Sequence, residues 1–514
     1  MIVEEELDLR SLAAGDGGVK WVKVIDQTRC IGCHACTTAC KSENEVPLSV
    51  TRTYVKSVDV GVFPQVRRLF QVTRCNQCDD APCVAACPTS AMFRREDGIV
   101  DFDKSVCIGC KACIAACPYD AIFINPEDHS AEKCNFCAHR LDVGLEPACV
   151  VVCPVEAILV GDLNDPTSKV ARIVQREPVS VRRPEKETRP KLYYKGAHQA
   201  TLDPLAARRP EGGLFMWSEQ GPAVTSGHPG MGNSSAAALL SYDVPHRVPW
   251  DWRVSLYTWT KGIAAGAYLA PLAFALAGLL SWSSSLWLWA APAVALGFLA
   301  LTGAVLIADL EHPLRFAYIF LRPQWRSWLV RGAVVITGYG GVLATHLLLS
   351  AAGVEEPQKW LAIAGLPFAA GAAVYTAFLF AQAKARDLWQ SPLLPPHLLV
   401  QAVLVGSAAM LPFAHWLADG SVGAFEWLLA GTALVHLAVA ACEITLTHPT
   451  AHAHLAAHEL WRGRYARFFW TGAALVAVAV FAPLVGVAAV PCALIGLLAH
   501  EHAYVQAGQS VPLA

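Results

Sequence analysis

A chain of 514 residues is long enough for two or three domains, and its composition blends two unlike halves. Residues 1–250 hold most of the charge and 16 of the 18 cysteines, whereas residues 251–514 are rich in Ala, Leu, Val and Trp. A formal net charge of −2 excludes nucleic acid as a general partner, which would call for a basic surface. The first residues, Met1-Ile-Val-Glu-Glu-Glu, are acidic and lack an apolar core, so neither a secretory signal nor a twin-arginine leader is expected. The first half is then expected to stay in a reducing cytosol, where dense cysteines serve metals rather than disulfides.

The cysteines fall into four quartets. They are Cys30-x2-Cys33-x2-Cys36-x3-Cys40, Cys75-x2-Cys78-x4-Cys83-x3-Cys87-Pro88, Cys107-x2-Cys110-x2-Cys113-x3-Cys117-Pro118 and Cys134-x2-Cys137-x11-Cys149-x3-Cys153-Pro154. The run C-x2-C-x2-C-x3-C-P is the bacterial ferredoxin signature, in which three thiolates wrap one cubane and the fourth reaches a neighbouring cluster. Soft thiolates suit iron, and small residues in the loops (Gly32, Ala35, Gly109, Ala112) let the backbone pass close to sulfide. Structural zinc also uses C-x2-C pairs, but it needs two pairs per site and has no use for a third close cysteine. Gly98-Ile-Val-Asp-Phe102 and Ala121-Ile-Phe-Ile124, lying between quartets, read as small hairpin strands. So little aliphatic core accompanies them that folding is expected to be coupled to metal binding.

Residues of about 20–195, including Gly161-Asp-Leu-Asn-Asp-Pro-Thr-Ser168, resemble the iron–sulfur subunits of molybdenum and tungsten oxidoreductases such as dimethyl sulfoxide and polysulfide reductases. The resemblance implies an α+β ferredoxin-like domain over 1–195 with four [4Fe–4S] clusters in crossed cages. These are Cys30/Cys33/Cys36 with Cys153, Cys134/Cys137/Cys149 with Cys40, Cys75/Cys78/Cys83 with Cys117, and Cys107/Cys110/Cys113 with Cys87. It also implies that the cage closed by Cys87 lies nearest the membrane and the one closed by Cys153 nearest a catalytic partner.

Residues 196–250 read as an extended linker, and the wider stretch from about 165 mixes Arg, Lys, Pro and Gly without periodicity. Segments such as 182–190 and 226–234 suit either a wrap along a partner or contact with anionic headgroups. From residue 251 an all-α polytopic membrane bundle follows. Eight apolar runs of membrane length recur at about 257–281, 286–308, 328–350, 360–383, 396–416, 424–446, 466–483 and 486–506. Trp282, Trp287, Trp325, Trp328, Trp360, Trp389, Trp416, Trp427 and Trp461 cluster at their ends, as interfacial anchors do.

Segments after the even-numbered runs carry Arg315, Arg322, Arg326, Arg331, Lys384, Arg386, Arg462, Arg464 and Arg467, whereas those after the odd-numbered runs carry only Lys359. By the positive-inside rule the basic side faces the cytoplasm, and with eight spans the cysteine half is expected there too.

Trp259-Thr-Lys-Gly-Ile-Ala-Ala-Gly266 and Asp309-Leu-Glu-His-Pro-Leu-Arg315 resemble motifs of the NrfD/polysulfide-reductase membrane-anchor family, which carries no haem and binds quinone at the bundle end facing the clusters. Glu311 and His312 depart from the family's D-L-G-R-P-x-R form. The resemblance implies Trp259, Lys261, Asp309, His312, Arg315 and Tyr339 as quinone-site residues. Physically, acids at a helix C-terminus oppose the helix dipole, so Asp309 and Glu311 beside His312 and Arg315 suggest proton handling. A Glu311–Arg315 ion pair pinning the loop is the plainer alternative. Lys261 either snorkels to the headgroups or meets a quinone carbonyl. Tyr339, His346, Tyr375, His436, Glu443 and Glu501 lie deeper, as proton relays or as interhelical hydrogen-bond partners. Haem is not expected, because His346 and His436 are poorly matched in depth and His448, His452, His454 and His458 fall in a loop.

The combined expectation is an electron-transfer and anchor subunit beside a molybdenum or tungsten bis-pterin catalytic subunit, passing electrons to menaquinone or ubiquinone in the cytoplasmic membrane. A quinol-oxidising reductase is the alternative reaction. An electron-passing scaffold of a larger respiratory assembly, without its own quinone site, is the alternative class.

Overall fold

Short strands build the first half and long apolar helices the second. The computed structural model describes residues 18–209, 237–354, 356–417 and 420–514. Two units emerge, Met1–Arg247 with Pro512–Ala514, and Val248–Val511.

The first unit contains β1 (Trp21–Asp26), β2 (Thr53–Val62), β3 (Gln65–Arg74), β4 (Met92–Arg94), β5 (Val100–Phe102), β6 (Ile122–Ile124), β7 (Ala131–Lys133), β8 (Ile158–Asp162), β9 (Val179–Ser180), β10 (Leu192–Lys195) and β11 (Leu239–Tyr242). One sheet runs β8-β1-β10-β9, with β1 parallel to β10; a second runs β11-β2-β3. Alternation along β1 decides what lies on each face. Val22 and Val24 pack with Leu163, Val170 and Ile173, whereas Ile25 joins Val55, Val72 and the cysteines Cys36 and Cys149. The expected strands are β5 and β6, each paired with a three-residue neighbour, β4 and β7, to form two small hairpins.

The segment expected as a linker is partly built into this unit. A helical turn over Gln199–Leu202 and strand β11 belong to it, and β11 pairs with β2. Residues 210–236, which include 226–234, and the acidic start at 1–6 lie outside the described residues.

His246 locks the end of the unit, its Nδ1 2.5 Å from Asp120 and its Nε2 3.1 Å from Asp243. Burial works against the imidazolium, but the Asp243 and Asp120 carboxylates outweigh it and raise the His246 pKa to about 9. A raised pKa makes this stabilisation complete below about pH 6.5 and lost as pH rises through about 9, on the order of 3 kcal/mol in all. Urea unfolding of the cluster-loaded chain at pH 6 and pH 9.5 should show that loss, and His246→Gln should abolish most of the difference.

The second unit holds α1 (Trp252–Leu276), α2 (Leu286–Ala308), α3 (Trp328–Ala351), α4 (Glu356–Gln382), α5 (Leu394–Trp416), α6 (Val422–Thr445), α7 (Ala466–Ala479) and α8 (Ala482–Gln509). These match the eight expected runs in order. Six, all but α1 and α7, are long and apolar enough to cross a membrane. The other two are exceptions for plain reasons: α1 carries Lys261, and α7 has only 14 residues.

Helix α1 packs against α2, α4, α5 and α8, so it is the axis of the bundle. It approaches α5 through Gly266 against Gly406. A Cβ on either glycine would overlap the partner helix backbone. Trp360, Trp416 and Trp427 are more than 70 % exposed, as interfacial anchors are. Trp287 and Trp389 are not anchors: both are buried, Trp287 against Tyr268 and His346, Trp389 stacked on Trp250 and Phe380.

Candidate functional site

The cysteines converge in crossed sets. Cys107, Cys110, Cys113 and Cys87 line one cavity of about 350 Å³. Cys30, Cys33, Cys36 and Cys153 line a second of about 320 Å³, and Cys75, Cys78, Cys83 and Cys117 a third of about 310 Å³. In the fourth set Cys40 is close in charge range to Cys134, Cys149 and Cys137, and the Asn44 amide donates to both Cys40 Sγ and Cys137 Sγ. None of these cysteines forms a disulfide.

The backbone repeats around each set. The second residue after each quartet's first cysteine has positive φ: Gly32, Gln77, Gly109 and Phe136. This left-handed step curls the chain round the cavity, and at Gly32 it is joined by a close approach, since a Cβ there would strike the Phe70 ring. The Cys-Pro turns repeat as well, with positive φ at Ser90, Asp120 and Glu156, each three residues beyond its cysteine. Backbone N–H groups then aim at sulfur: Met92 to Cys87 at 3.3 Å, Ala157 to Cys153 at 3.2 Å, Gln77 to Cys75 at 3.4 Å and Ala131 to Cys107 at 3.4 Å.

Buried cations complete the arrangement. Arg74 donates to Cys149 Sγ at 2.9 Å, and Lys23 Nζ lies 3.9 Å from the same atom; both cations are buried. Burial alone would raise the Cys149 pKa, but Arg74 and Lys23 bring it down to about 7. Burial, reinforced by the neighbouring thiols, pushes Cys40 up to about 12. Nε and Nη2 of Arg74 have no hydrogen-bond partner among the described residues. A buried guanidinium so placed needs an anion, and a thiolate-ligated iron–sulfur cubane is one. Four thiols, inward N–H groups and a buried counter-charge therefore fit such a cluster.

The six residues implied for quinone lie on α1, at the end of α2 and in the turn after it, and on α3. Trp259 donates to the Leu494 carbonyl at 2.9 Å and meets Phe298 edge-on. Lys261 does not snorkel. It is fully buried, donating to the Ala373 carbonyl at 2.9 Å and Thr376 Oγ1 at 2.7 Å, with its ammonium over the Tyr375 ring. Tyr339 donates to the Ala264 carbonyl at 2.9 Å and joins a cluster with Tyr268, Trp287 and His346. Asp309 caps the end of α2 with Arg253 of α1 at 3.9 Å, and His312 and Arg315 follow in the half-buried turn after it.

Between these groups runs a polar interior. Tyr257 is within charge range of Asp309, Tyr375 and Glu501; Glu501 is within range of Lys261 and Glu443; and Glu443 accepts from His397 at 3.2 Å. His397 and His500 were not singled out in the sequence. The signal was there: each is a polar residue within an apolar run, as His436 and Glu443 are.

Residues 66–163 match the family described as "4Fe-4S dicluster domain", residues 21–42 "4Fe-4S binding domain" and residues 241–495 "Polysulphide reductase, NrfD". A tetrathionate reductase subunit of Salmonella typhimurium is 42% identical over 193 residues, 37% of this protein and 77% of the subunit. Protein NrfC of Escherichia coli is 44% identical over 34% of this protein and 80% of its own length. A polysulfide reductase component of Wolinella succinogenes is 43% identical over 34% of this protein and 93% of its own length.

Proposed function

The chain belongs to the polysulfide/dimethyl sulfoxide reductase iron–sulfur subunit family, fused to an NrfD-type membrane domain, and from that membership we propose that it links a separate catalytic subunit to membrane quinone. The observation that carries the reading is the joining, in one chain, of crossed thiol cages to a bundle with ionisable groups inside it. Four [4Fe–4S] clusters, one in each cage, would supply single-electron transfer. The partner is a molybdenum or tungsten bis-pterin subunit, and the carrier is menaquinone or ubiquinone.

What this chain's own residues contribute is counter-charge at sulfur and proton access at the quinone. Reducing a quinone takes two protons. Asp309, His312 and Arg315 stand at the end of α2 where the basic segments gather, placed to take protons from that side. The charge asymmetry supports a cytoplasmic location for that end and for the iron–sulfur unit, and hence electron delivery to quinone by a sulfite- or formate-dehydrogenase-like complex. The names of the relatives, which include tetrathionate, polysulfide and selenate reductases, favour the second reading, a quinol-oxidising reductase.

Asp309→Asn tests the site in either direction. In the full chain with reduced clusters, reoxidation by a soluble quinone analogue should slow roughly a hundredfold, the range of a lost proton-transfer group. Reoxidation by ferricyanide should not change. Equal quinone rates in both proteins would remove Asp309 from the reaction.

A further inference from the structure

Three histidines from three helices meet inside the membrane unit, and the proton-access reading above does not use them as a group. His397 of α5, His436 of α6 and His500 of α8 are all buried, and one ring nitrogen from each lies within 4.8 Å of the others. His397 Nε2 and His436 Nδ1 are 2.9 Å apart, and the His436 and His500 rings meet edge-on at 4.6 Å.

A cluster of buried histidines is ordinarily a set of satisfied hydrogen bonds, and the His397–His436 contact taken alone reads that way. Glu443 changes the balance. Its carboxylate sits 3.2 Å from His397 Nδ1, and its second oxygen has no hydrogen-bond partner among the described residues. His397 thus presents Nδ1 to the carboxylate and Nε2 to the other side, 2.9 Å from His436 Nδ1 and 3.3 Å from the Gln401 amide nitrogen. Carboxylate, imidazole and an inward-facing ring nitrogen form the sequence that orients a metal-bound histidine. Glu443 and Glu501 are two buried carboxylates within range of one another, an arrangement that is costly at membrane depth. A divalent ion on the far side of the His397 ring offsets it.

We propose that His397, His436 and His500 bind a divalent transition metal of the zinc class, with Glu443 orienting His397. Zinc–nitrogen bonds near 2.0–2.1 Å set tetrahedral nitrogens about 3.4 Å apart, so the 2.9 Å His397–His436 contact opens slightly and separations of up to 4.8 Å close by up to about 1.4 Å. Three neutral imidazoles without thiolate or an oxygen cage select zinc or copper over magnesium or calcium. Three protein ligands leave a fourth position open, as in sites that hold a water.

The test uses the full, cluster-loaded chain equilibrated with zinc sulfate and desalted. Mass spectrometry should count about one zinc per chain besides the iron, and X-ray absorption at the zinc edge should show a nitrogen and oxygen shell without sulfur. His436→Ala and His500→Ala should each hold less than a tenth of that zinc at unchanged iron. Glu443→Gln, which keeps all three rings, should bind zinc ten- to a hundredfold more weakly. Wild-type protein that takes up no zinc, zinc with sulfur ligands, or equal zinc in wild type and both histidine variants would each overturn the site. If the histidine variants do not fold, the wild-type zinc count and absorption spectrum decide alone.

Discussion

Cys87→Ala should lower the iron of the purified chain from about sixteen per molecule to about twelve, the loss of one cubane of four. The cavity that Cys87 lines belongs with Cys107, Cys110 and Cys113, not with Cys75, Cys78 and Cys83 of its own quartet. Pairing Cys87→Ala with Cys113→Ala should therefore cost no further iron, because both remove ligands from one cage. Pairing it with Cys83→Ala should take about four more, because a second cage is broken. Two residues that share a site are non-additive, and two that do not are additive, so iron counting alone reads out the crossing. Ligand pairing within each quartet predicts the reverse. Electron flow to quinone should fall to background in every one of these variants, since any break in a relay stops it. Binding and folding are coupled in such domains, so the double variants should also unfold at lower urea.

How much of this was legible in the sequence varies with the physical cause. Quartet spacing was plain, because converging on one cluster dictates it. The crossing was not in the spacing; it came with the family resemblance, and the three cavities agree with it. Helices α2 to α6 could be read because a bilayer fixes how long an apolar run must be. The ten-residue strands β2 and β3 were missed. Buried cations such as Lys56 and Arg74 interrupt their apolar alternation, Arg74 held at Cys149 Sγ and Lys56 within range of the Asp243 carboxylate. Trp287 and Trp389 sit near helix ends in sequence but turn inward, which only the packing of neighbouring helices decides. His397 and His436 are 39 residues apart, and periodicity within one helix says nothing about which lone polar residues meet across three.

Lys261→Met should destabilise the membrane unit by about 3–5 kcal/mol, the cost of removing one partner of a buried charge pair. Lys261 is fully enclosed between α1 and α4, and Glu501 of α8 is the opposite charge acting on it. Loss of the ammonium leaves Glu501 facing Glu443, a like charge, with the Ala373 carbonyl and the Thr376 hydroxyl deprived of their donor. Methionine keeps the length and apolar stem, so the effect reports charge and hydrogen bonding rather than a cavity. Glu501→Gln made in the same chain should recover most of the loss, because the uncompensated charge is then gone. Thermal unfolding of the four proteins of this cycle in detergent measures the coupling directly. An additive cycle would mean that Lys261 and Glu501 do not compensate one another. A strongly non-additive one, with quinone reoxidation slowed in Lys261→Met and still slow in the stable double variant, would separate the two roles of the pair. Stability would then rest on the charge balance, and the proton route on the ionisable side chains themselves.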